Sequence, residues 1–97
     1  MKVMIVWKSH PGTHADALKK LMDEGGIKPQ PGQSGVKILS SVHGIGCGFI
    51  LVETQDYGAV ATFCSDWQSV VSVETHIVID DAQLLEHHKQ RLHKGRA

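Results

Sequence analysis

Lys2-Val3-Met4-Ile5-Val6-Trp7-Lys8 is the stretch that decides the fold. Its alternation marks a β-strand, in which successive side chains point to opposite faces. Val3, Ile5 and Trp7 fall on one face and Met4 and Val6 on the other, with lysines only at the ends. A sheet with one wet face would show apolar and polar residues in turn. A strand that is apolar on both sides has to be covered on both sides.

Outward from this strand, Ser9-His10-Pro11-Gly12 reads as a turn and Thr13 as a helix N-cap, with Asp16 at the capping-box position. The helix is expected to run to about Glu24, to bury Ala15, Leu18, Leu21 and Met22, and to carry Lys19–Asp23 and Lys20–Glu24 pairs on its wet side. Gly25-Gly26 ends it. The stretch Gly25 to Gly35, with four glycines and two prolines, reads as an ordered loop or flap. A second strand is predicted over Val36 to His43 and a third over Cys47 to Thr54, joined by Gly44-Ile45-Gly46. A three-residue turn would set His43 opposite Cys47, Ser41 opposite Phe49, Leu39 opposite Leu51 and Lys37 opposite Glu53. Phe49 and Leu51 then share one face of the third strand, backed by Ile50 and Val52 on the other.

Asp56 is placed to cap a second helix with Tyr57, Val60, Cys64 and Trp67 at helical spacing and Phe63 beside them. A fourth strand, about Val70 to Ile79, shows Val71, Val73, Thr75, Ile77 and Ile79 on one face against Ser72, Glu74 and His76 on the other. Asp80, with Gln83 three residues on, is a capping box for a third helix bearing Leu84, Leu85, His88 and Leu92 along one side. The basic residues at its end, Lys89, Arg91, Lys94 and Arg96, suit a helix C-terminus and a solvated tail. The order βαββαβ predicts an α+β, ferredoxin-like domain over residues 1–80 with a four-stranded antiparallel sheet, followed by a C-terminal helix and tail over 81–97. Two helices can cover one face of that sheet. The other face calls for a second copy of the chain, hence a homodimer.

Composition narrows the function. Ninety-seven residues suit one domain, small enough for an extra buried surface to matter. No run of about 20 apolar residues is present to span a bilayer, and no signal-peptide pattern precedes the first strand, so a cytoplasmic protein without membrane contact is expected. Ten basic and ten acidic side chains cancel, which argues against nucleic acid as a partner. The RNA-recognition motif shares the βαββαβ order, but its third-strand signature is met here only by Gly46, Gly48, Phe49 and Ile50; the basic residue and two of three aromatics are missing. Cys47 and Cys64 are far apart in apolar surroundings and read as free thiols in a reducing compartment.

Taken as an ordered set, Trp7-Lys8, Pro11-Gly12, Gly35-Val36-Lys37, His43-Gly44, Gly48-Phe49, Leu51-Val52-Glu53, Trp67, Glu74 and Asp80-Asp81 resemble an uncharacterised family of short bacterial proteins, a domain of unknown function within the dimeric α/β-barrel, ferredoxin-like superfamily. The resemblance covers about residues 1–82. It implies the ferredoxin-like fold and a dimer, and no agreed activity. Relatives commonly carry an aromatic before the strand-two histidine, where this chain has Val42. Within the superfamily the chain is similar to small monooxygenases and muconolactone-type isomerases, which need little cofactor machinery. Haem-degrading members share Trp67 with it, but the first strand here lacks their asparagine and the second helix lacks their histidine.

The residues singled out for chemistry are His43, Glu74 and His76 as proton-transfer candidates, with Trp67 and Glu53 as ligand contacts. Glu74 and His76 share a strand face about 7 Å apart by the strand rise, so a carboxylate and an imidazole there could bracket a small polar group. The competing reading is that the pair serves a dimer interface, and Lys37 already offers Glu53 a partner. Seven histidines invite a metal, yet no two share one helical face at i,i+4, and neither cofactor nor metal is expected. The expected function is a small-molecule-binding homodimer with its pocket between sheet and helices. The alternatives are a cofactor-independent monooxygenase or isomerase and a non-catalytic interaction dimer.

Overall fold

The computed structural model describes residues 1–29 and 34–95, with side chains of the last helix as far as Lys89 and at Arg91. The element order is β1 (Lys2–Ser9), α1 (His14–Asp23), β2 (Val36–His43), β3 (Cys47–Thr54), α2 (Tyr57–Ser65), β4 (Val71–Val78) and α3 (Asp81–Gly95). The four strands form one antiparallel sheet in the order β2-β3-β1-β4. This is the ferredoxin-like α+β arrangement, with β1 and β3 central. Part of the predicted Gly25–Gly35 loop, residues 30–33, lies outside the described residues.

The two faces of β1 divide as its alternation predicts. Val3 and Ile5 are 0% and 1% exposed and pack with Ile50, Val52, Val60, Phe63 and Cys64 beneath α2. Three buried residues at the other end of the same face, Ala17, Trp67 and Val71, form a second cluster that joins α1 to β4. Across β3, Gly48, Ile50, Val52 and Thr54 are buried, while Phe49 is 51% exposed. Phe49 and Leu51 stand beside Val6 and Met4 on the face opposite these clusters, which no helix covers among the described residues.

Register in the β2–β3 hairpin departs from the simple three-residue turn. Lys37 does stand opposite Glu53, but an irregularity between Ile38 and Ser40 leaves Leu39 unpaired, so Ser41 meets Ile50, Val42 meets Phe49 and His43 meets Gly48. The period of a strand is two, so one extra residue moves everything beyond it to the opposite face. Ser41 and His43 therefore turn toward the helices, and Val42 joins the uncovered face.

Helix α1 also differs from expectation. Ala17 is its buried residue and Leu21 is half-buried, whereas Ala15, Leu18 and Met22 are exposed, Met22 at 80%. Small Ala17 lets the helix come close to Trp67 and Val71. Thr13 does not cap with its side chain; its hydroxyl donates to the carbonyls of His10 and Val70 instead, tying the turn to β4. The helix ends as its glycines require. Gly25 and Gly26 adopt positive φ, and their N–H groups donate to the carbonyls of Met22 and Leu21.

Asp56 caps α2 by accepting from the Gly58 N–H at 2.9 Å. The capping box of α3 forms in both directions: Asp80 Oδ1 accepts from the Gln83 N–H at 2.8 Å, and Gln83 Oε1 from the Asp80 N–H at 3.0 Å. Lys2 reaches Asp80 at 3.1 Å and anchors this helix to the start of β1. Leu84 and Leu85 of α3 are 53% and 67% exposed. No helix among the described residues is long and apolar enough to cross a membrane.

Candidate functional site

The site grows from one row of the sheet. Cross-strand pairing aligns Val73, Trp7, Gly48 and His43 over β4, β1, β3 and β2, all directed toward the helices. Gly48 is the gap in that row. A Cβ built there would lie 2.7 Å from Trp7 Cε2 and Cζ2 and 2.6 Å from the Val42 carbonyl oxygen, so only glycine lets the indole lie across β3. Trp7 then meets the His43 ring, centroid to centroid 5.8 Å at an interplanar angle of 60°. Ser41, turned inward by the same irregularity, stands with its Oγ 3.4 Å from His43 Nε2.

Above this row the sheet and the two helices leave a cavity of about 140 Å3. Trp7 and Ile50 of the sheet, Leu18 and Leu21 of α1, and Phe63 and Trp67 contribute apolar walls. Its polar lining comes from Ser9, His14 and His43; both histidines are exposed and stand at the rim. None of the lining residues is an aspartate or a glutamate. Two buried polar atoms of lining residues, Trp7 Nε1 and Ser9 Oγ, have no hydrogen-bond partner among the described residues. Burying such a group unpaired costs about 1–3 kcal/mol.

Behind the cavity, Trp67 is held by a charge clamp. Lys20 Nζ lies 5.0 Å from the centre of its ring, bonds Glu24, and reaches Asp66 at 3.2 Å. The hydrogen bond to Glu24 is the largest reason the Lys20 ammonium is held above its ordinary range, with Asp66 adding to it against desolvation. This clamp joins α1 to the turn that follows α2. Beside it, burial pushes the Cys64 thiol up to about 11.

Of the residues singled out from the sequence, His43 and Trp67 come together at this cavity. The other three lie on the uncovered face. His76 Nε2 and Glu74 Oε2 are 3.5 Å apart with side chains 51% and 77% exposed, opposite Met4 and Val6 of β1. Glu53 stands opposite Lys37 and Lys2, and accepts from the N-terminal amine at 3.4 Å. The sheet thus separates His43 from the Glu74–His76 pair. Trp7, Ser9 and His14 belong to the cavity and were not singled out for it from the sequence. The available signal was Gly48, a glycine inside an otherwise apolar strand, which marks close approach by another group. Among the described residues, no three His, Cys, Asp or Glu side chains gather as a metal site would require.

The family described as a domain of unknown function, DUF3303, matches residues 1–92, which include every residue of this site. No curated protein matches the chain.

Proposed function

The chain belongs to the DUF3303 family, a domain of unknown function, and on that premise we propose that it is a homodimer that binds a small molecule between its sheet and helices. The observation that carries the binding reading is the cavity itself. Its walls are almost entirely apolar, and two tryptophans and two histidines are among the residues that line it. Ligand pockets have this composition, an apolar surface with a few placed polar groups. The dimer reading rests on the opposite face, where Val42 and Phe49 are exposed and Met4, Val6 and Leu51 are half-buried. Hiding even ~600 Å2 of apolar surface per chain would contribute on the order of 15 kcal/mol before association costs. In such a dimer Glu74 and His76 sit at the interface, apart from the ligand.

Light scattering at micromolar concentration should report a dimer, and Phe49→Asp should convert it to a folded monomer. A monomeric wild-type protein would remove the dimer. Binding is read separately, by the intrinsic fluorescence of Trp7 and Trp67 during a screen of small aromatic compounds. A second reading, proton transfer without a cofactor, is favoured by the His43 ring lying against Trp7 at the rim, because imidazole exchanges protons near neutral pH. His43→Gln would then abolish turnover while leaving ligand affinity largely in place. If no compound binds, the third reading, a non-catalytic dimer, takes precedence.

A further inference from the structure

We propose that the cavity takes a monocyclic organic acid, a single apolar ring bearing a carboxylate; this rests on the ligand-binding reading above and specifies the ligand's chemistry. Size comes first. A cavity of about 140 Å3 is close to the roughly 150 Å3 of an engineered apolar cavity known to admit benzene, so one ring fits and a fused polycycle does not. The walls offered to that ring, Leu18, Leu21, Ile50, Phe63 and the two indoles, are apolar.

Polarity then sets the substituent. The indole N–H of Trp7 can only donate, and it is buried without an acceptor among the described residues. Ser9 follows two residues later on the same face of β1, and its hydroxyl is likewise buried and unpartnered. His43 and His14 add imidazoles at the rim, and His14 opens α1, the helix end at which the backbone dipole favours negative charge. Among the described residues no carboxylate lines the cavity to compete for these donors. Glu24 and Asp66 are engaged by Lys20 and stand outside the lining, as does the exposed first-turn Asp16. Trp7 can only donate, and Ser9 and the two imidazoles can donate as well as accept, so a ligand rich in acceptor oxygen is the one that satisfies all of them together. A carboxylate supplies the most per atom and the charge that strengthens each bond.

The test uses the full chain at neutral pH and three probes that share one ring: benzoate, benzyl alcohol and toluene. Calorimetry gives the affinities, and quenching of tryptophan fluorescence places each probe in the cavity, because both tryptophans of the chain line it. Benzoate is expected to bind about tenfold or more tighter than toluene, the increment of a charge-assisted hydrogen bond. Trp7→Phe keeps an aromatic wall and removes the N–H; it should weaken benzoate several-fold more than toluene, so that the ratio of the two affinities isolates the lost hydrogen bond from the altered packing of the wall. Equal affinity for benzoate and toluene overturns the acid assignment while the binding reading stands. Failure of all three probes to bind overturns both.

Discussion

Replacing Gly48 with alanine adds one methyl group, and its destination is defined. The new Cβ would sit 2.6 Å from the Val42 carbonyl oxygen and 2.7 Å from two carbons of the Trp7 indole. Gly48 has no positive φ, so the backbone itself accepts alanine and the whole effect is steric. Neither neighbour can yield cheaply. The carbonyl belongs to the β2–β3 ladder, and the indole is pinned between β3 and His43. Overpacking of this kind costs about 1–3 kcal/mol, and with obstruction from two sides the upper end is expected. For a chain of this length, ~3 kcal/mol corresponds to a fall in Tm of roughly 12–24 °C. Thermal unfolding followed by circular dichroism measures it. A double-mutant cycle with Trp7→Leu locates it: once the indole is gone, part of the cost of Gly48→Ala should vanish, leaving a coupling above ~0.5 kcal/mol. A Gly48→Ala protein within about 0.5 kcal/mol of wild type would refute the packing argument. Strict additivity with Trp7→Leu would show that the indole is not what the methyl strikes.

Cys64 and Asp80 set further outcomes. Cys64, buried with its thiol raised to about 11, should resist alkylation in the folded protein while half-buried Cys47 reacts first. The folded state keeps the Cys64 proton between the ordinary value of 9.0 and about 11 while the unfolded chain releases it, so stability should fall as pH rises through that window and Cys64→Ala should flatten the fall. Asp80 is held below the ordinary carboxylate range, first by the Gln83 backbone bond and then by Lys2. Its contribution to α3 is therefore complete at neutral pH and is lost as acid takes the pH down through the lowered value; Asp80→Ala should remove helical circular dichroism and that acid dependence together.

Much of this architecture was legible in the sequence because it rests on period and caps. The two-sided alternation of β1, the glycines after α1, and the Asp80–Gln83 pair each act within a few residues. What escaped was set by contacts between distant segments. Met22 sits at helical spacing from Leu18 yet is exposed, because Trp67 and Val71 receive the Ala17 side of the helix instead. The face of His43 depended on one unpaired residue, Leu39, that no local pattern announces. The site follows from it: the sequence alone suggests His43 beside Glu74 and His76, whereas the sheet lies between them. In sequence Trp7 is one more apolar strand residue; its place in the cavity depends on Gly48, two strands further along the chain.

The irregularity in β2 has a further consequence for how copies of the chain can meet. β2 is an edge strand, and a regular edge offers a ladder of free N–H and C=O groups on which another strand can add. The break between Ile38 and Ser40 interrupts that ladder midway, and Lys37 sets a charge beside it. Side-by-side growth, which has no natural end, is thereby discouraged, whereas stacking through the sheet surface closes after two copies. One extra residue thus aims His43 at the cavity and also favours a finite assembly over a fibre.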